Sequence, residues 1–158
     1  MRKRIIHEAT HAAPPAGDGN WLDLEQLAEV ELTSEDPAYP LESALIAGTG
    51  SGWRAQQPGK QGIRFLFDKP QRITRIRLVF QEDERARTQE FVLRWSADGG
   101  ASYRDIVRQQ YNFSPPGVNR ELEDYRVDLD RVTTLELAIV PEISGGEARA
   151  SLAQLRLA

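Results

Sequence analysis

The chain has 158 residues, 40% of them hydrophobic and 28% charged, a formal net charge of −4 and no cysteine. That length suits one domain with a single core. The missing cysteines exclude disulfides, thiolate metal sites and a thiol nucleophile, and no apolar run is long enough to cross a bilayer, so the chain reads as cytoplasmic and held together by packing.

Charge is unevenly spread. Arg54 to Arg108 contains 12 basic and 7 acidic residues, which we read as arginines on the solvent side of central strands, because the overall acidity opposes nucleic-acid binding. In chain order, Met1 to Ile6 is basic and apolar, but His7, Glu8 and His11 follow where a secretory signal needs a continuous apolar stretch. Pro14, Pro15, Gly17 and Gly19 then break any periodicity, so residues 1–20 are predicted to be a flexible arm and residues 21–158 one domain. Packing is expected to begin near Trp21.

The domain alternates in steps of two. Ala28, Val30 and Leu32 share a face, then Ile63, Phe65 and Phe67, then Ile76, Leu78 and Phe80, then Phe91, Leu93 and Trp95. Tyr125, Val127 and Leu129 form a further block, as do Leu135, Leu137 and Ile139. Arg64, Arg75, Arg77 and Arg94 fall on the opposite parity. Half-buried strands separated by turns predict an all-β, antiparallel jelly-roll sandwich, with one short helical turn over 43–47 and an irregular final strand near Ala153-Gln154. Tight turns are expected at Asp68-Lys69-Pro70-Gln71, Asp98-Gly99-Gly100 and Asp130-Arg131. Antiparallel strands alternate their ends, so the long connections 35–62, 81–87, 111–120 and 141–147 should gather at the other rim. Ligand sites usually sit on loops held by a rigid scaffold, which makes that rim the expected site.

Glu42-Ser43-Ala44-Leu45-Ile46-Ala47-Gly48-Thr49 through Trp53 resembles a segment of coagulation factor 5/8 type C (discoidin) domains and related carbohydrate-binding modules. Ile63 to Leu78, Phe91 to Tyr103 and Ala150 to Leu155 resemble their later strands. The resemblance spans about Tyr39 to Ala158 and implies the galactose-binding-like fold. It also implies a calcium loop, but Ala47 and Gln154 stand where family members carry carboxylate ligands, so that calcium site is not expected; only a weak ion near Gly48-Thr49 stays open. Trp53-Arg54-Ala55 with Pro58-Gly59-Lys60 is also similar to the DNA-binding domain of eukaryotic strand-break repair scaffolds, which keeps nucleic acid as a minor alternative.

Catalytic chemistry is poorly provisioned. The two histidines, His7 and His11, lie in the expected arm; Glu82-Asp83-Glu84 and the acids around Glu121 lie in solvent-rich segments; and Gly48 to Gly52 lacks a phosphate-loop lysine. Trp53 and Trp95 are assigned to the core and Trp21 to the sandwich edge. The expectation is therefore a binding module, not an enzyme, with no cofactor and no metal. Sugars need planar polar groups beside aromatics, and Arg108, Gln110, Tyr111, Asn112 and Phe113 supply both in one short run. Arg85, Arg87 and Gln89 are expected from the neighbouring connection, and Tyr39 and Glu42 from the long loop. The expected ligand is a carbohydrate or similar polar molecule; the alternative is a protein partner or oligomer interface, with no membrane partner.

Overall fold

The computed structural model describes residues 20–47 and 50–158. The expected arm thus lies, except for Asn20, outside the described residues. A four-residue helix α1 (Leu24–Leu27) leads into β1 (Ala28–Leu32), followed by a 3-10 turn (Leu41–Ala44), β2 (Trp53–Pro58), β3 (Gln61–Gln81), β4 (Arg87–Ser96), β5 (Arg104–Phe113), β6 (Arg120–Val140), β7 (Arg149–Leu152) and β8 (Gln154–Leu157). The helical turn begins two residues before its predicted start. Pro40 supplies the entry, and Leu41 and Ala44, three residues apart and both buried, eclipse each other on one side as 3-10 geometry requires.

Every paired strand within the main sheet is antiparallel, in the order β1-β3-β6-β4-β5, with β8 also on β3; β2 and β7 form a separate ribbon. The two 21-residue strands, β3 and β6, make the sandwich. Residues 63–67 of β3 pair with β1, and residues 76–79 pair with β8, while β6 follows along the other edge throughout. Side chains from both halves, including Ile63, Phe65, Ile76, Leu78 and Phe80, bury into one cluster. Two halves of a strand can share a core only if the strand folds over, so the β3/β6 ribbon passes from a five-stranded layer into a three-stranded one.

This corrects two of the expected turns. Asp68 to Gln71 and Asp130-Arg131 are not hairpin loops: the strands run through them as corners, where the β3–β6 register shifts. Arg131 takes φ 62° at its corner. Only the Asp98-Gly99-Gly100 turn joins neighbouring strands, β4 and β5. There the Ser96 hydroxyl donates to Asp98 Oδ1 and accepts from the Gly100 amide, while the Asp98 carboxylate also takes bonds from Ser102. Those bonds hold the Asp98 carboxyl down at about 2.

The core contains the fully buried rings of Phe65, Phe80, Phe91 and Phe113 and the indole of Trp53, whose Nε1 donates to Ser34 O at 3.2 Å. Each such side chain contributes about 1.5–3 kcal/mol of burial. Trp95 is only partly buried against this core, and Trp21 lies on the three-stranded layer between Arg75 and Arg156, at 4.9 and 5.5 Å from their guanidinium carbons.

With Gln61 opposite Ile139 and Glu90 opposite both Val140 and Gln110, the registers place the ends of β1, β5 and β6 and the start of β4 at one rim. Connections 33–52, 82–86, 114–119 and 141–148 therefore share that rim, and the corners and the β4–β5 turn occupy the other.

Candidate functional site

At the long-loop rim lies a cleft of about 540 Å³. One wall is the β2–β7 ribbon, which presents Arg54 and Arg149 outward because their neighbours Trp53, Ala55, Ala148 and Ala150 point inward and are buried. The second wall is the connection after β3, residues 81–85, and the third is Tyr39 from the long loop. Gly52 lets that loop close against β7. Its φ is +76°, and a Cβ there would stand 2.6 Å from Leu152 O, so a side chain is excluded twice over.

The chemistry of the walls is mixed in sign. The Arg54 guanidinium lies 4.7 Å above the Tyr39 ring, and the Arg54 amide donates to Tyr39 O at 3.3 Å, so the loop and the ribbon hold each other. Arg54, Arg85 and Arg149 make no ion pair among the described residues. With them stand Asp83, which accepts from Gln81 Nε2 at 2.8 Å and Asn119 Nδ2 at 3.2 Å, and the exposed Glu84 and Glu147. Planar donors and charged acceptors around one concavity can address adjacent hydroxyls from both sides.

Beneath the cleft the polar groups are closed to solvent. The Arg87 side chain is 1% exposed; its Nε donates to Glu82 Oε1 at 2.5 Å, and its Nη1 to Gln89 Oε1 at 3.1 Å and Pro141 O at 2.8 Å, with the guanidinium 4.7 Å above the Phe113 ring. Glu82 Oε2 in turn accepts the amides of Glu84 and Arg85. One arginine thus ties together the connection after β3, the end of β5 and the start of the connection after β6. Gln89 Nε2 passes the chain on to Glu121 Oε1 at 3.2 Å. Burial, reinforced by Glu123, pushes the Glu121 carboxyl up to about 9, so it is neutral near pH 7. Burial works against ionisation of Glu82 as well, but Arg87 and the two amides prevail and its pKa is lowered.

Of the ten predicted site residues, Tyr39 and Arg85 line the cleft. Glu42 does not; it borders a separate depression of about 320 Å³ beside Val30, Leu32 and Leu41. Arg87, Gln89 and Phe113 are buried under the rim and so are corrected from ligand contacts to supports. The run 108–113 belongs to a strand, not a loop, and period two splits it between faces. Arg108, Gln110 and Asn112 point out of the five-stranded layer, where Glu90 accepts from Arg108 Nη1 (2.6 Å) and Gln110 Nε2 (2.9 Å) and Asn112 Oδ1 accepts from Thr88 Oγ1 (2.6 Å). Tyr111 points inward, its hydroxyl donating to Arg120 O at 2.8 Å and its ring edge-on to Phe113 at 5.0 Å. The charged cleft residues outside that prediction are Arg54, Glu82, Asp83, Glu84, Glu147 and Arg149. Arg54 and Arg149 were marked by alternation in 53–55 and 148–150, where apolar residues flank each arginine.

No protein-family model matches the chain, and no curated protein matches it in sequence. Solved structures do match in shape. The family 32 carbohydrate-binding module of NanJ from C. perfringens, in complex with galactose, superimposes with a TM-score of 0.64 at 12% identity over 87% of this chain and 96% of that one. The fold is galactose-binding-like. The same fold is shared with the corresponding module of AlyQ in complex with 4,5-unsaturated mannuronic acid (TM-score 0.62, 16% identity, 88% and 98% covered). It is shared too with an F5/8 type C domain from Bacteroides fragilis (TM-score 0.58, 14% identity, 89% and 97% covered). Gln154 Nε2 donates to Ile46 O at 3.4 Å, so a neutral amide links the last strand to the loop after the 3-10 turn; Gly48 and Thr49 are outside the described residues. Among the described residues no three histidines, cysteines or acids converge as a metal site, and no helix is long and apolar enough to cross a membrane.

Proposed function

We propose that the protein is a non-catalytic carbohydrate-binding module whose site is the cleft between the β2–β7 ribbon, Tyr39 and residues 81–85. The observation that carries this reading is the convergence of three connections on a concavity lined by guanidinium, carboxylate and phenol groups. The sugar complexes of modules sharing the fold support it. In the bound state Arg54, Arg85 and Arg149 donate to sugar hydroxyls, Asp83 and Glu84 accept from them, and the half-buried Tyr39 supplies apolar contact.

Titration with galactose, N-acetylgalactosamine and an unsaturated uronate, followed by NMR, tests the proposal. Saturable shifts of the Arg54, Arg85 and Arg149 signals are expected. Tyr39→Ala or Arg149→Ala should weaken binding about tenfold or more while leaving the unfolding midpoint close to wild type. A broad glycan screen without a binder, or shifts confined to Arg108, Gln110 and Asn112, would overturn it.

A further inference from the structure

The outer side of the three-stranded layer concentrates positive charge and reaches the cleft only at one end, where Arg120 pairs with Gln81. Ile76, Leu78 and Phe80 are fully buried, so Arg75 and Arg77 face outward; Leu155 and Leu157 are buried, so Arg156 does too. In register, Arg77 stands between Asp124 of β6 and Arg156 of β8, and Arg75 stands opposite Arg126. Arg120 and Arg72 extend the face to either end. Among the described residues two aspartates stand against Arg72, Arg75, Arg77, Arg120 and Arg126: Asp124, which holds Arg75 through bonds of 2.9 and 2.6 Å, and Asp128, which pairs with Arg72 at 2.7 Å. These five arginines exceed the two aspartates by three on one surface of a protein whose formal net charge is −4.

We infer that this face docks an acidic polysaccharide, a linear chain carrying carboxylate or sulfate groups. Asp124 and Asp128 make their close ion pairs with Arg75 and Arg72, and Asp124 reaches Arg77 and Arg126 only through longer-range attraction, which leaves Arg77, Arg120 and Arg126 without an ion pair among the described residues. Alternate residues along a strand are about 7 Å apart and adjacent strands about 4.8 Å, a grid on which guanidinium groups can fork to successive anionic groups of an extended polymer. Single-stranded nucleic acid fits less well. It needs exposed rings for its bases, and the indole on this face, Trp21, already stacks with Arg75 and Arg156.

Heparin, polygalacturonate and a single-stranded DNA oligonucleotide are the probes, with binding followed across a salt series. Wild type should bind heparin or polygalacturonate at low salt, with affinity falling steeply as salt is added. Arg77→Glu with Arg126→Glu should reduce that affinity about tenfold or more, whereas Arg104→Glu on the other layer changes it less than twofold. Arg120→Glu with Arg126→Ala, both at exposed positions, is the substitute should the first pair fail to fold. Excess galactose should leave heparin binding unchanged, which separates this face from the cleft. Absence of polymer binding at low salt, equal binding by the folded reversal variants, or DNA binding as tight as that of either polysaccharide overturns the inference.

Discussion

Arg87 and Arg149 belong to the same end of the sandwich and could hardly differ more. Arg87 is closed off from water and bonded to Glu82, Gln89 and the Pro141 carbonyl; Arg149 is exposed, lines the cleft and has no carboxylate partner among the described residues. The buried arginine fixes where the connections go, and the exposed ones meet whatever enters between them. An arginine beside a binding site is therefore either wall or foundation, and its burial decides which.

Breaking the foundation should have the largest effect. Arg87→Met removes the charge but keeps much of the volume, stranding Glu82 and leaving Pro141 O without its donor. Unfolding free energy should fall by about 3–5 kcal/mol, read by urea denaturation, and cleft binding should weaken with it because the wall at 81–85 loses its anchor. A loss below about 1 kcal/mol would mean that the joint is not what holds the rim.

Glu121 gives a smaller effect of opposite sign. Its carboxyl, raised by burial and then by Glu123 from 4.5 to about 9, is neutral in the folded protein but ionises on unfolding above its ordinary value. Folding through this group is therefore fully favoured below about pH 4.5 and penalised progressively as pH rises toward about 9. Glu121→Gln keeps an oxygen for Gln89 Nε2 and removes the ionisation. It should stabilise the protein by about 1–3 kcal/mol near pH 8, with the gain vanishing near pH 4. A pH-independent difference would dismiss the buried neutral acid.

The smallest effects sharpen the contrast between inside and outside. Arg108→Ala and Asn112→Ala remove partners on the solvent side of β4 and β5, where Arg108 is 60% exposed. Each should change stability by less than about 1 kcal/mol and leave sugar affinity unaltered. A loss of affinity at either would move the ligand from the cleft to the outer face of the five-stranded layer.

Much of the architecture was legible in the residue pattern, and the site much less so. Ile63-Phe65-Phe67 and Ile76-Leu78-Phe80 showed two buried faces separated by Asp68 to Gln71, since a strand writes its burial into every second residue. They could not show that the two faces belong to one bent strand, because a corner and a hairpin use the same turn residues; the β3–β6 pairing distinguishes them. The run Arg108 to Phe113 was misjudged for a related reason. Its polar and aromatic residues suggested one mixed patch, yet as a strand it sends Arg108, Gln110 and Asn112 one way and Tyr111 and Phe113 the other. Tyr39 and Arg85 line the cleft because they lie on long connections that share a rim.

Alone, the sequence determined the stacked antiparallel layers, the core faces and the rim that holds the long connections, since these follow from short-range alternation and from strand parity. The tertiary structure decided which charged side chains meet. Arg87 finds Glu82 and Pro141 O, Arg54 finds Tyr39, and Arg75, Arg77 and Arg126 come together across two strands. Those encounters depend on register, corner position and loop closure between residues tens of positions apart, and a guanidinium carries no mark in the sequence of whether it will be buried in a network or left to solvent.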